Sequence, residues 1–143
     1  MIEKVVHKKK LFALIVRGKY RKKKGITFFT PEDATQQFGY MKHKKNYVIE
    51  PHQHNKRLTK ILSTTEVILL LKGVLRVDFY ENKKKYLFSK IIKATDIIML
   101  VNGGHGFKIL KEVEMIEVKQ GPYSLSADKT KFKKVDEKKI KVK

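Results

Sequence analysis

Four side chains in this sequence have the types and spacing of a metal-binding site. His52 and His54 stand two residues apart, and alternate side chains of an extended strand point to the same face. Glu66 begins an apolar run that ends at Gly73, and His105 follows another apolar run. Imidazole nitrogens and a carboxylate oxygen suit zinc, iron, manganese or nickel. We therefore predict a divalent metal ion bound by His52, His54, Glu66 and His105.

Short apolar strands separated by turns are predicted to position these side chains. The predicted strands are residues 11–16, 26–29, 47–54, 67–71, 75–80, 86–92, 97–101, 107–110 and 112–118. Strands at such close spacing are typical of an antiparallel sandwich or barrel. Thr30 followed by Pro31 and two acidic residues predicts one short N-terminal helical turn. The fold class predicted from this pattern is all-β.

The composition bounds the domain organisation and the location of the protein. A chain of 143 residues with 41% hydrophobic content is long enough for one domain, predicted over residues 1–132. Residues 133–143 form a lysine-rich tail, predicted to be a frayed end or a short edge strand. There is no cysteine and no apolar run long enough to cross a bilayer, so we expect a cytoplasmic protein without membrane contacts.

The net charge of +20 raises the question of a polyanionic partner. Lysine supplies 30 of the 34 basic residues, whereas arginine, which binds phosphate in a bidentate manner, supplies only four. The lysines are spread over the whole chain and no basic patch is interleaved with stacking aromatic residues. The charge therefore favours a solvated surface, with nucleic acid bound only non-specifically.

The same residues resemble the motifs of the cupin superfamily. His52-Gln53-His54 resembles the first cupin motif, together with Glu66 and, after six residues, Gly73. Asp96, Gly103 and His105 are similar to the second motif, and the chain resembles a group of small bacterial single-domain cupins. The resemblance implies a double-stranded β-helix, that is, a jelly-roll sandwich or barrel, and a homodimer. It also implies a loose association with sugar-nucleotide and surface-polysaccharide chemistry.

The predicted ligand is a small anionic carbohydrate, either a sugar phosphate or a sugar nucleotide. Arg57 lies in a basic segment, between the histidine pair and Glu66, that is expected to flank the barrel mouth. Gln120 has the parity of inward-facing residues, and Tyr47 is an aromatic residue suited to line a sugar-sized cavity. Gln120, Arg57 and Tyr47 are therefore the predicted substrate-binding residues.

Three classes of function remain open at this point. The first is a metal-dependent enzyme, either an isomerase or epimerase that uses the ion as a Lewis acid, or an oxygenase. The second is a non-catalytic module that binds a small ligand, because a fold alone does not fix a function. The third is a basic protein that binds a polyanion through its surface charge.

Overall fold

The computed structural model describes residues 1–22, 24–124 and 128–143. The chain divides into two units, one formed by Met1–Tyr20 with Thr64–Lys143 and the other by Arg21–Ser63. The first unit holds β1 (Ile2–His7), β2 (Lys10–Val16), β5 (Glu66–Tyr80), β6 (Tyr86–Lys93), β7 (Ile97–Leu100), β8 (Gly104–Lys119) and a 3₁₀ turn at Glu137–Lys139. The second unit holds β3 (Gly25–Phe28) and β4 (Gly39–Lys42). The prediction of an all-β protein is confirmed.

The six strands of the first unit form one antiparallel sheet that is organised around β5. Along one side of β5, its first half pairs with β7 and its second half pairs with β6. Along the other side, β8 pairs with almost the whole length of β5. β2 continues the sheet beyond β7, and β1 follows β2. The two longest strands therefore run side by side through the unit.

A bend at Gly73 curls this sheet into a half-barrel. Gly73 has a φ of +88°, a left-handed conformation that glycine adopts without steric cost. A Cβ atom at this position would overlap the carbonyl oxygen of Glu112 on β8. The pairing of β5 with β8 also shifts register at several points between Leu70 and Leu75. Both strands therefore bend at the same place, and the two ends of β5 approach each other.

One face of the curled sheet carries the hydrophobic core. Side chains alternate between the two faces of a strand, so Ile68 and Leu70 share a face with Ile98 on β7 and Ile15 on β2. The buried core residues are Val5, Phe12, Ala13, Ile15, Ile68, Leu70, Leu75, Val77, Phe79, Ile92, Ile98 and Leu100. Glu66 has the same parity as Ile68, so its carboxylate lies on the core face at one end of the sheet.

A buried ionic network ties the C-terminal segment to the second half of β5. Arg76 donates hydrogen bonds from Nε and Nη2 to Asp78 and from Nη1 and Nη2 to Glu137. The backbone of Ser89 on β6 also exchanges hydrogen bonds with the chain at Lys141 and Lys143. Residues 133–143 are thus held against β5 and β6, although they contain no aromatic residue and little apolar surface.

The predicted helical turn after Thr30 is wrong. Residues 30–38 form turns, and the amide of Ala34 donates to the carbonyl of Pro31, which closes a single tight turn. The side-chain amide of Gln37 donates to the carbonyls of Pro31, Glu32 and Ala34. These carbonyls would otherwise accept the next backbone bonds of a helix, so the glutamine side chain replaces the helical ladder.

The predicted strand over residues 47–54 is also wrong. Residues 47–54 are not in a strand, so His52 and His54 are not placed on one face of a sheet by strand alternation. Pro51 lacks the amide that a strand needs for its ladder, and Nδ1 of His52 lies 2.9 Å from the carbonyl oxygen of Glu50. Local bonding of this kind competes with pairing to another strand.

Candidate functional site

Glu66 and His105 form the centre of a polar cluster at the end of the half-barrel. Glu66 is the first residue of β5, whereas His105 on β8 lies opposite Phe79, near the other end of β5. Nevertheless, Nε2 of His105 lies 2.8 Å from Oε2 of Glu66. The bend at Gly73 therefore brings together two of the four predicted metal ligands.

The turn before His105 is packed too closely to admit side chains. Gly103 has a φ of +74°, and a Cβ atom there would overlap the ring of Phe12 and the carbonyl oxygen of Tyr80. A Cβ atom at Gly104 would meet the ring of Phe132. These glycines let β8 begin directly against β5, which fixes the position of the imidazole that follows them.

Glu66 is the anionic centre of this cluster. The hydrogen bond from His105, reinforced by one from Glu117, lowers the pKa of Glu66 to about 2. The hydrogen bond to Glu66 in turn raises the pKa of Glu117. Glu117 lies opposite Ile68 and so faces the same side of the sheet as Glu66. Between the two carboxyl groups, Glu117 is the one that keeps its proton to higher pH, and Glu66 stays ionised.

The ionised carboxylate also defines the protonation pattern of the imidazole. A carboxylate accepts hydrogen bonds only, so Nε2 of His105 must carry the proton that Glu66 receives. In a neutral His105 this leaves Nδ1 as an acceptor, able to bind a metal ion or take a proton from a hydroxyl group. A glutamate that orients a histidine in this way is common to metal sites and to general-base pairs.

A cleft of about 620 Å³ opens beside the Glu66–His105 pair, and we refer to it as the Glu66 cleft. Tyr80 and Phe132 provide aromatic surface, with their ring centroids 5.1 Å apart in a T-shaped arrangement. Four lysines contribute to the lining: Lys119, Lys129, Lys131 and Lys134. The cleft therefore combines a half-buried carboxylate, aromatic walls and a cationic rim.

Lys119 is held in place by contacts on two sides. Its Nζ lies 2.6 Å from a carboxylate oxygen of Asp128 and 4.9 Å from the centre of the Tyr123 ring. The hydrogen bond to Asp128 raises the pKa of Lys119. Lys119 also lies opposite Glu66 in the β5–β8 ladder. This lysine is a fixed cation at the edge of the cleft.

Gln120 braces the strand that carries Glu66. Its side-chain oxygen accepts from the backbone amide of Thr65 at 2.7 Å, and its side-chain nitrogen donates to the Thr65 hydroxyl at 2.8 Å. Both ends of the Gln120 amide are therefore bonded to the residue that precedes Glu66. A direct contact between Gln120 and a substrate stays a prediction.

The other predicted site residues lie in the second unit. The rings of His52 and His54 are 5.4 Å apart in an edge-to-face arrangement. Tyr47 is 61% exposed and stacks on His43 with 4.3 Å between ring centroids. Arg57 is exposed. The structure thus pairs the predicted ligands as Glu66 with His105 and as His52 with His54, and a single site that joins the two pairs stays a prediction.

Within the described ranges, no group of three or more histidine, aspartate or glutamate side chains is arranged to hold a metal ion. Nor does any described helix have the length and apolar character needed to span a bilayer. Among the predicted metal ligands, His105 and Glu66 are in direct contact, through Nε2 of the histidine and Oε2 of the glutamate.

Sequence reasoning missed Glu117, Lys119 and the lysines that follow them. Glu117 and Lys119 share the odd numbering of His105 and Phe107, and all four face the core side of β8. Alternation over residues 112–118 could have placed the glutamate inward, but its charge made the outward face the natural assignment.

Comparison of the chain with protein-family models, with curated proteins and with solved structures finds no match.

Proposed function

We propose that this protein binds a small anionic carbohydrate, such as a sugar phosphate, in the Glu66 cleft. The observation that carries the proposal is the combination of a cationic rim with the Glu66–His105 pair in one cleft. A cleft of about 620 Å³ is within the usual size range for sites that bind small molecules.

The lysines supply the attraction for the anionic group. Lys131 and Lys134 line the cleft, and neither makes an ion pair with a described residue within 4.0 Å. Lysine binds phosphate as a point charge from a flexible stem, so it accepts a phosphate in several orientations. Lys119 is already paired with Asp128, which leaves Lys129, Lys131 and Lys134 as the stronger candidates for phosphate contact.

The remaining surfaces of the cleft suit a sugar ring. Tyr80 and Phe132 offer apolar edges and faces on which the C–H surface of a sugar can pack. The Glu66 carboxylate accepts hydrogen bonds from hydroxyl groups, and Nδ1 of a neutral His105 accepts one more. A neutral sugar would use only these contacts, whereas its phosphate ester would also use the lysines.

Calorimetric titration with a hexose phosphate, its parent hexose and inorganic phosphate tests this proposal. We expect the hexose phosphate to bind most tightly, and replacement of Lys131 or Lys134 by alanine to weaken it by about tenfold, which corresponds to the loss of one charged contact. Lys4→Ala on β1 removes the same charge away from the cleft and is the matched control. Equal weakening by Lys4→Ala, or no binding of the ester, would refute the proposal.

We also propose that Glu66 and His105 contribute two ligands to a divalent metal ion, with His52 and His54 as the other predicted ligands. The ion would take the place of the proton that Nε2 of His105 donates to Glu66. The separation of 2.8 Å between that nitrogen and Oε2 of Glu66 is compatible with two ligands that share one ion at about 2.0–2.2 Å each. Such an ion would supply Lewis-acid polarisation of a bound carbonyl or hydroxyl group.

Elemental analysis separates the two halves of the metal proposal. Purified wild-type protein should contain zinc, iron, manganese or nickel near one equivalent, and His105→Ala should lose it. The double variant His52→Ala/His54→Ala reports on the second pair without touching the cleft residues. Retention of metal by His105→Ala would exclude His105 as a ligand and leave carbohydrate binding to stand on the lysines.

A further inference from the structure

The outer edge of β8 is unpaired in the described parts of the chain. β8 extends over 16 residues and pairs with β5 along one side, and no other described strand pairs with it. Strands of globular proteins are typically 3–10 residues long, so this edge is unusually extended. Its backbone amides and carbonyls form a template for another strand.

Apolar side chains of β8 are exposed on both faces of the strand. Phe107, Ile109 and Met115 lie on the core face, and Leu110, Ile116 and Val118 lie on the opposite face. Their exposed fractions range from 37% for Phe107 to 54% for Val118. Edge strands are usually protected by proline or by charge. β8 contains no proline, and its six charged residues include both signs, so they can pair with charges of another strand. A free edge with apolar side chains on both faces is a surface that another strand can cover.

The charges of β8 distinguish it from the rest of the surface. The strand contains three lysines and three glutamates and is therefore neutral, whereas the chain as a whole carries +20. Two copies of so basic a protein repel each other over most of their surfaces. A strip with balanced charges is the surface at which a second copy can approach with least repulsion.

We propose that two copies of this chain associate by antiparallel pairing of their β8 strands about a two-fold axis at Lys111. In this register Lys108 of one copy lies opposite Glu114 of the other, which places opposite charges side by side twice. Phe107 lies opposite Met115 by the same symmetry, so apolar residues also meet twice. Phe107 and Met115 lie opposite the buried residues Val77 and Leu70 of β5, so they face the same side of β8, as directly opposed residues require.

The register with its axis at Glu112 is less complementary. With the axis at Glu112, Lys108 would face Ile116 and Leu110 would face Glu114. With the axis at Lys111, the unfavourable contacts are that of Lys111 with its own symmetry mate and that of Leu110 with Glu112, which occurs twice. The favourable pairs are more numerous, because Ile109 also lies opposite Val113 twice. Cross-strand pairs each contribute a fraction of a kcal/mol to about 1 kcal/mol, so these six favourable pairs outweigh the three unfavourable ones. The same register sets His105 opposite Glu117 of the second copy, and the Glu66 cleft borders the interface.

Charge exchange across the interface tests the register. Sedimentation over a wide range of protein concentration should show a monomer–dimer equilibrium for the wild type. Lys108→Glu and Glu114→Lys should each weaken dimerisation by about tenfold or more, because each creates two like-charge pairs. The double variant Lys108→Glu/Glu114→Lys should restore the wild-type affinity. Lys4→Glu on β1 makes the same charge change as Lys108→Glu outside the interface and should have little effect.

Each outcome decides the proposal. A wild type that stays monomeric, a dimer that tolerates both single substitutions, or a double variant that remains weak would overturn it. Circular dichroism confirms that each variant is folded. Hydrogen exchange gives a test without substitutions, since the β8 amides of the wild type should exchange more slowly as protein concentration rises. Exchange that does not depend on concentration would also overturn the proposal.

Discussion

Replacement of Arg76 by methionine is expected to destabilise the protein far more than replacement of its partner Glu137 by glutamine. Arg76 and Asp78 are 7% and 5% exposed, and the guanidinium group donates two hydrogen bonds to the Asp78 carboxylate at 2.8 and 3.1 Å. Methionine fills a similar volume but leaves the Asp78 carboxylate buried without its cation. Glu137 remains half-exposed and can be hydrated when its partner is lost.

The structure sets the size of the difference. Removal of one partner from a buried ion pair costs about 3–5 kcal/mol. Asp78 keeps the hydroxyl donor of Ser89, so we place Arg76→Met at the lower end, about 3 kcal/mol. The Arg76–Glu137 contact is exposed on the side of Glu137 and is screened by solvent, so its loss in Glu137→Gln should cost only a small fraction of that value. For a chain of this size, 3 kcal/mol corresponds to a decrease of about 10 °C in the melting temperature.

Urea unfolding followed by far-ultraviolet circular dichroism measures both free energies. The double variant Arg76→Met/Asp78→Asn removes the buried charge together with its partner and should recover part of the loss. Equal destabilisation by Arg76→Met and Glu137→Gln would refute the argument that burial of Asp78 determines the cost. So would a double variant that is no more stable than Arg76→Met.

Three further predictions follow from the same structure. The lowered pKa of Glu66 contributes stability that is complete above the pKa of the unfolded chain, about 4.5, and is lost as the pH falls towards 2. The difference in unfolding free energy between wild type and Glu66→Gln should therefore shrink over that pH range, as measured by urea titrations at fixed pH. A chain that ends at Phe132 loses the Glu137 contact with Arg76 and the backbone hydrogen bonds to β6. We expect its melting temperature to fall by at least several degrees. An unchanged melting temperature would show that the tail contacts contribute nothing to stability. Gly73→Ala places a Cβ at a positive φ and against the Glu112 carbonyl, so it should lower the free energy of unfolding by about 2–4 kcal/mol in the same urea assay. Gly106→Ala is the control, because a Cβ there has ordinary contact distances, and it should lower the free energy of unfolding by about 1 kcal/mol or less.

The strand pattern was predictable where apolar residues make the signal. Residues 86–92 and 97–101 were predicted as strands and lie within one residue of β6 and β7. Residues 67–71 and 75–80 were predicted as separate strands because Gly73 reads as a turn, whereas the structure keeps them in one bent strand. β1 was not predicted, since its lysine and glutamate dilute the apolar alternation. Glycine marks both turns and bends, and only the pairing partner distinguishes them.

The candidate site was predictable only in part, for a related reason. Glu66 and His105 were identified by their types, and the structure brings them into contact. Their proximity depends on the bend of two long strands, which no local pattern reveals. The anchoring of the tail was missed because it relies on Glu137 reaching Arg76, a polar contact between residues distant in sequence. Hydrophobic periodicity reports burial along one element and is silent on such contacts.

Gly73 divides β5 into two arms, one that ends at Glu66 and one that ends near Phe79, which lies opposite His105. Each arm of β5 has about seven residues and is roughly 20 Å long. An increase of only about 5° in the angle between the two arms at Gly73 would separate the arm ends by roughly 2 Å, enough to break the hydrogen bond between His105 and Glu66. The bond at the ends is therefore sensitive to small changes in the curvature at Gly73. We expect a molecule that bridges or separates this pair to alter hydrogen exchange of the amides around Gly73, at a distance from the cleft.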